Sequence, residues 1–281
     1  MIRLQYLGTG AAEGYPGLFC ECRGCRLARQ LGGRNIKARS CTLVNEDTMI
    51  DLSPDLFGQS IRFGVALSKI RHLVVTHTHA DHLNLEAVCL RAKAGATILP
   101  DLREEENYLD IYGSDAVGRA VFKALEEKPH TDRDRIHFHQ ETAGQAFKAG
   151  ELTFIPFPAN HRQDETCYIY GVTDGERWLL YANDTGTLPE EALEQIRSLG
   201  IRFHAVSMDC GRGTLPGDGH MGVKENMELR ERLREMGAVC GDTKYYLNHL
   251  SHMSGIIHDE LQELMGPEGF TAAYDGMVIQ V

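Results

Sequence analysis

Three imidazoles and a carboxylate fall within six residues in Thr76-His77-Thr78-His79-Ala80-Asp81-His82, directly after the apolar segment Ile70-Arg71-His72-Leu73-Val74-Val75. Chance assembles such a His-x-His-x-Asp-His run in about one chain in a thousand of this histidine content. Coincidence is a poor account of it. Neutral imidazole beside carboxylate is the ligand chemistry of a borderline divalent cation, so the run reads as a metal site. A fold that accepts it must end the preceding strand at a pocket.

The 281 residues, 42% hydrophobic and 25% charged, suit an ordinary globule with a sizeable core. Forty acidic against 29 basic residues leave a formal charge of -11, which repels nucleic acid at long range and offers no polybasic face to a membrane. A small substrate is expected, rather than a nucleic acid polymer. The opening Met1-Ile2-Arg3-Leu4-Gln5-Tyr6-Leu7 lacks the apolar core and cleavage site of a signal peptide, and no stretch of about 18 apolar residues occurs. The expected location is cytoplasmic, where the eight cysteines stay as thiols. Cys41, Cys89, Cys167, Cys210 and Cys240 stand alone and are expected to be buried small hydrophobes. Only Cys20, Cys22 and Cys25 cluster.

Residues 2–7 read as a strand leading into Gly8-Thr9-Gly10-Ala11-Ala12-Glu13-Gly14. The Gly-x-Gly-x-x-x-Gly spacing and the following Tyr15-Pro16-Gly17 argue against a dinucleotide loop, which needs a helix opening at that point. The glycines instead let the backbone turn tightly beside the pocket. Residues 40–44 and 47–51 read as a hairpin ending in Asp51, 56–63 as a short helix, 70–75 as a buried strand and 83–94 as a helix. Residues 101–135 are acidic and then mixed, helical through 116–125, and are expected to form a peripheral helical insertion. Strands follow at 152–157, entering Asn160-His161, and at 168–172 and 178–181 around the Asp174-Gly175 turn, with Asn183-Asp184 next. Further helices are expected at 189–199, 223–236 and 256–264. Strands are expected at 204–208, at 244–247 before Asn248-His249, and at 277–281. No linker rich in Pro, Gly or Ser breaks this order, so residues 1–281 are expected to form one α/β domain, two sheets with helices outside. His77, His161, Asp184 and His249 all stand at strand ends, which is how a sandwich builds one pocket.

Two divalent ions about 3.5–4 Å apart need roughly six or seven such ligands, with coordination left open for a bridging hydroxide and substrate. The chain supplies that number. Two divalent ions outweigh two carboxylates and a hydroxide by one charge, so such a pocket attracts an anion even in an acidic protein.

The His-x-His-x-Asp-His run, with a later His, Asp and His, resembles the metallo-β-lactamase superfamily of binuclear hydrolases, whose fold is an αββα sandwich. More narrowly, Gly8-Thr9-Gly10, Cys20-Glu21-Cys22-Arg23-Gly24-Cys25, Asn160-His161, Asn183-Asp184-Thr185, Met208-Asp209-Cys210, His249-Leu250-Ser251-His252 and Tyr274-Asp275-Gly276-Met277 look like the PhnP-type cyclic phosphodiesterases. The matches span nearly the whole chain, and the segment 101–135 departs from them. The resemblance implies one active-site ion, zinc or manganese, on His77, His79, His161 and Asp184, and a second on Asp81, His82, Asp184 and His249. It places His220, in Gly217-Asp218-Gly219-His220, where the family has a catalytic histidine. In the implied reaction a bridging hydroxide attacks phosphorus at the centre held by Asp81 and Asp184, and His220 donates to the leaving oxygen. Asp51 would orient a ligand imidazole, with Asp209 a weaker candidate for the same task.

Beside this site, Cys20, Cys22 and Cys25 with His252 would close a tetrahedral structural zinc site, stabilising a loop over about residues 18–40 with few apolar residues of its own. An iron–sulfur cluster or a redox thiol pair is the competing reading. His252 lies three residues beyond His249, so one loop would serve both sites. The expected substrate is a small anionic phosphodiester, and a homodimer is compatible with the chain. The same ligands suit a lactonase or thioesterase, and a non-catalytic protein resembling coenzyme PQQ synthesis protein B shares the fold. His137 and His139 also alternate, but no Asp-His pair follows them, and a solvated strand face is expected. His72, His130, His204 and His258 stand isolated, and the basic stretch 23–39 reads as solvated surface.

Overall fold

The computed structural model describes residues 1–93, 95–103 and 106–281. Among these, fourteen strands form two seven-stranded sheets. The first has the order β14 (Val278–Gln280), β1 (Arg3–Gly8), β2 (Cys41–Val44), β3 (Thr48–Ile50), β4 (His72–Val74), β5 (Leu109–Gly113) and β6 (Ile136–Gln140). It is antiparallel from β14 to β3 and parallel from β3 to β6. The second runs β13 (Phe270–Ala272), β12 (Val239–Asn248), β11 (Phe203–Asp209), β10 (Trp178–Ala182), β9 (Tyr168–Thr173), β8 (Leu152–Pro158) and β7 (Phe147–Ala149). There the parallel half is β10 to β13.

Side-chain alternation along the strands sorts residues between layers. Ile2, Leu4, Tyr6, Val44, Ile50, Val74 and Tyr112 from the first sheet meet Phe154, Tyr170, Val172, Leu179 and Tyr181 from the second, forming the inter-sheet core. The opposite faces are also covered. Leu43, Met49, Leu73 and Ile111 pack beneath α2 (Leu56–Phe63), α3 (Leu85–Ala92) and α4 (Asp115–Glu127). Val206, Met208 and Leu180 pack beneath α1 (Arg23–Leu31), α5 (Glu190–Ser198), α6 (Val223–Glu235) and α7 (His258–Met265). Burial on both faces explains why the parallel strands read as continuous apolar runs. The result is the expected αββα sandwich. Among the described residues no helix is long and apolar enough to cross a membrane.

Two expectations are corrected. Residues 101–135 are not a peripheral insertion: β5 lies between β4 and β6, with Leu73, Ile111 and Phe138 in one row. Helix α4 then seals the outer face, where Gly118 passes so close to Phe138 that an added Cβ would stand 2.4 Å from its ring. Of the basic residues between 23 and 39, Arg23, Arg26, Arg29 and Arg34 are exposed as expected, but Lys37 is buried, its Nζ donating to Ala273 O at 2.7 Å. The expected helix over 83–94 is observed as α3, and its last expected residue, Ala94, lies outside the described residues, as do Glu104 and Glu105.

The glycine turn after β1 is required by close approach, since a Cβ on Gly8 would lie 2.0 Å from the Arg39 carbonyl oxygen. Asp275 holds the turn, its Oδ1 accepting from Thr9 N at 2.9 Å and Thr9 Oγ1 at 2.8 Å. Because Ile111 is fully buried in a central strand, Ile111→Ala is expected to cost about 2–5 kcal/mol. A urea unfolding midpoint unchanged from the parent would return this segment to the periphery.

Candidate metal centre

The strand ends of both sheets meet along one edge of the sandwich. At the end of β3, Asp51 is fully buried and takes a left-handed backbone, φ 62°. Its Oδ1 accepts from Thr76 N at 2.8 Å and Thr76 Oγ1 at 2.9 Å, which fixes the start of the histidine run. Its Oδ2 lies 2.6 Å from His82 Nδ1. That contact assigns the His82 proton to Nδ1 and turns Nε2 toward the pocket. The expected orienting role of Asp51 thus has a geometric basis.

Asp184, following β10, is 3% exposed and also left-handed, φ 55°. Imidazoles surround it: His82 Nε2 at 2.9 Å, His77 Nε2 at 3.3 Å and His249 Nε2 at 3.7 Å from Oδ2, with His220 Nδ1 at 3.1 Å and His161 Nδ1 at 3.3 Å from Oδ1. His79 joins through its Nδ1, 3.1 Å from His161 Nε2. Asp81 Oδ2 lies 3.1 Å from His82 Nε2. His249, at the end of β12, is the third left-handed residue of the site, φ 59°. All seven expected ligands therefore come together. They form two groups whose ligand atoms lie within 4.8 Å of one another: His77, His79, His161 and Asp184, and Asp81, His82, Asp184 and His249.

These donors fit a cation. His77 Nε2, His82 Nε2, His249 Nε2 and Asp184 Oδ1 are buried without a hydrogen-bond partner, although they lie close together. Buried polar atoms are rarely left so, and a divalent ion is the partner that imidazole nitrogen and carboxylate oxygen share. Electrostatics agree. Burial opposes ionisation of Asp184, but His249, His82 and His77 outweigh it and hold the carboxyl well below its usual range. Burial also opposes a charge on His82, yet Asp51, Asp184 and Asp81 raise it well above the ordinary imidazole value. His77 is pushed down by burial and by the neighbouring imidazoles.

Asp209, at the end of β11, was the weaker candidate in the sequence and proves to be a hub. Its Oδ1 accepts from Gly211 N at 2.8 Å and Met221 N at 3.2 Å, while Oδ2 lies 2.9 Å from His220 Nδ1 and 3.4 Å from His249 Nδ1. Burial lowers His220, but the hydrogen bond and charge of Asp209 prevail and push it up to about 9. Asp184, Asp209, His220 and His249 also form a ligand-sized group, so His220 stands within the cluster. Glu165 went unnoticed in the sequence. Its Oε1 accepts from Thr78 Oγ1 at 2.8 Å and pairs with Arg162 at 3.0 Å, steadying the residue between His77 and His79.

A second cluster gathers Cys20, Cys22, Cys25 and His252, again with ligand atoms within 4.8 Å. Cys22 caps α1, its Sγ accepting from Cys25 N at 3.5 Å, and Gly17 N donates to Cys25 Sγ at 3.2 Å. Burial raises the Cys22 thiol, but the Cys25 amide and His252 outweigh it and bring it to about 6. Burial pushes Cys25 up to about 12. A Cβ on Gly17 would lie 2.8 Å from the His252 ring, so a larger residue there would displace that imidazole. Four soft or borderline donors in one cradle suit a closed zinc site. The two clusters share a loop: Leu250, between His249 and His252, donates its N–H to Thr9 O at 3.1 Å.

A Beta-lactamase superfamily domain model matches residues 48–241. The chain belongs to the metallo-β-lactamase superfamily. It is 24% identical over 288 residues to a protein named Octanoyltransferase from Porphyromonas gingivalis, covering 98% of this chain but 51% of that protein. It is 26% identical to the coenzyme PQQ synthesis protein B of Nitrosococcus oceani, covering 98% of this chain and 99% of that one. Among solved structures, a diphosphatase of the PhnP family superposes with a TM-score of 0.74 at 22% identity, covering 100% of this chain and 98% of the other. The diphosphatase structure shares the αββα sandwich with this chain.

Asp51→Asn places a donor against the His82 Nδ1 proton and is expected to weaken active-site metal affinity about 10–100-fold, measured by metal analysis after dialysis against graded chelator. Unchanged retention would deny Asp51 its orienting role. Cys20→Ser is expected to remove one tightly held zinc per chain by the same measurement. Undiminished zinc would refute the cysteine site.

Proposed function

We propose that the chain is a binuclear metal-dependent hydrolase of small, accessible phosphodiesters, cyclic ones included. The observation that carries this reading is the sharing of Asp184 between two four-ligand groups, with His220 set against the shared carboxylate. A single ion would leave one group of buried donors without a cation.

In this reading His77, His79, His161 and Asp184 would hold one divalent ion, zinc or manganese, and Asp81, His82, Asp184 and His249 would hold the other. Bound there, the ions would supply Lewis acidity toward phosphoryl oxygens and a nucleophile from water at neutral pH. The chain's own residues do the rest. Asp51 and Thr76 keep the imidazoles of His82 and His77 turned inward, and the buried protein wall excludes bulk water behind them. Asp209 holds His220 through Nδ1, so Nε2 is the atom that carries a proton to the leaving oxygen. Half-burial of His220 leaves that nitrogen reachable by a substrate. The acidic chain, -11 overall, favours a small anion drawn in locally over a nucleic acid polymer. The Cys20, Cys22, Cys25 and His252 cluster serves as a structural zinc site that steadies the loop carrying His249.

His220→Ala is expected to retain its metals and lose about 10²- to 10⁴-fold in phosphodiester turnover, read from kcat on a cyclic or aryl phosphodiester alongside metal analysis. Unchanged turnover removes the proton-donor role. A parallel panel of phosphodiester, lactone and thioester substrates tests the substrate class. No diesterase activity with manganese, zinc, nickel or cobalt would sink the proposal, and turnover confined to the carbonyl substrates would transfer it to acyl hydrolysis.

A further inference from the structure

Residues 214–219, the middle of the loop that carries His220, are exposed, so packing does not hold them in place. Hydrogen bonds do. Asn226, fully buried in the first turn of α6, donates from Nδ2 to the Asp209 carbonyl oxygen at 2.7 Å and to the Gly222 carbonyl oxygen at 2.8 Å. One amide thus joins the two ends of the loop. Beside it, Glu225 Oε1 accepts from Gly217 N at 3.1 Å and Oε2 from Gly222 N at 2.9 Å. The exposed middle is tied to the same helix end. Backbone bonds complete the closure, with Val223 N donating to Gly213 O at 2.7 Å and Arg212 N to Met221 O at 3.1 Å. A Cβ on Gly222 would stand 2.4 Å from the Leu215 carbonyl oxygen, so the loop folds tightly on itself.

We propose, on the diesterase reading in which His220 donates the proton, that Asn226 with Glu225 beside it is a positioning residue for His220. Its amide closes the loop so that the imidazole meets Asp209 on one side and the carboxylate of Asp184 on the other. Asp209 takes part twice. Its Oδ2 lies 2.9 Å from His220 Nδ1, its Oδ1 accepts from Met221 N at 3.2 Å, and its carbonyl is the one that Asn226 holds. The backbone that aims His220 and the carboxylate that orients its ring are therefore fixed to one point on α6. The other amide atom, Asn226 Oδ1, is buried without a hydrogen-bond partner among the described residues. A buried orphan acceptor is unfavourable, so the two bonds from Nδ2 are what the amide contributes at this position. Release of those bonds frees the exposed loop while the donors set on strand ends stay in place. Metal retention and proton donation are thereby separable. A displacement of about 1 Å at a reacting group costs about 10²-fold in rate. The cost falls on leaving groups that need the proton: an alkoxide must be protonated as its bond to phosphorus breaks, whereas a nitrophenolate leaves as a stable anion.

The test uses the full, metal-loaded chain and compares the parent with Asn226→Leu, His220→Ala and the two combined. Two substrates are read, a cyclic nucleoside phosphate, whose leaving group is an alkoxide, and bis(nitrophenyl) phosphate. Asn226→Leu is expected to keep its metals and its KM and to lose about 10²-fold in kcat on the cyclic substrate. Its loss on the nitrophenyl substrate is expected to be at least about tenfold smaller. Added to His220→Ala it is expected to cost nothing further, because the donor it positions is already gone. Equal losses on both substrates, parental turnover, or a loss that multiplies that of His220→Ala overturns the positioning role and leaves the donor standing. Parental turnover in His220→Ala, or no diesterase activity in the parent, overturns the donor and the positioning role together. Glu225→Gln, which keeps one of its two acceptor oxygens, tests the same closure from the neighbouring residue. A smaller loss, again unequal between the substrates, is expected there, and equal losses overturn the role. Thermal unfolding of each variant, matched to the parent, excludes loss of fold as the cause.

Discussion

A carboxylate buried as deeply as Asp184 must be compensated, because removing a charge from water costs several kcal/mol even after the protein relaxes. Five imidazoles from separate parts of the chain lie within 3.7 Å of its two oxygens. His77 and His82 arrive from the first sheet, His161 and His249 from the second, and His220 from the loop after β11. The two sheets therefore have to bring their strand ends to one edge. Core packing holds the layers together, but the demand of this carboxylate determines where their edges meet. A cation is the economical solution, since it offsets the carboxylates and gives the orphaned ring nitrogens a partner.

The loop from His249 to His252 ties this centre to the cysteine cluster. Its ends bear a side chain for each cluster, and its middle is pinned to the glycine turn through Leu250 and Thr9. Gly17 packs so closely against His252 that a larger residue would push the imidazole out of place. Disturbance of the cysteine cradle is thus passed to His249 along three residues of backbone rather than through a long chain of side chains.

The residues that gather in the main cluster were legible in the sequence because histidine and aspartate at strand ends stand out against apolar surroundings. The run from His77 to His82 is contiguous, and His161, Asp184 and His249 each follow a recognisable strand. The pairing of Asp209 with His220 was far less visible, since a glycine-rich loop of ten residues separates them and only its folded path returns one to the other. Strand β5 was missed for another reason. Its five residues follow a charged stretch, and Asp110 interrupts the apolar pattern on the inner face. Once β5 was read as surface, the cross-strand neighbours of His137 and His139 were hidden as well, because register is a property of pairing and not of local sequence. Residue type marks the ligands; tertiary return and register decide their partners.

Asp51, Asp184 and His249 share the left-handed backbone region, which is sterically comfortable only for glycine and, next, for asparagine and aspartate. Drift at positions 51 and 184 is thereby channelled. A single base change takes an aspartate codon to asparagine or glycine, and both fit the turn that each strand end makes. The charge can thus vanish while the path of the backbone survives. Such a scaffold has a short route from hydrolase to binding protein, because its geometry tolerates the very residues that silence its chemistry.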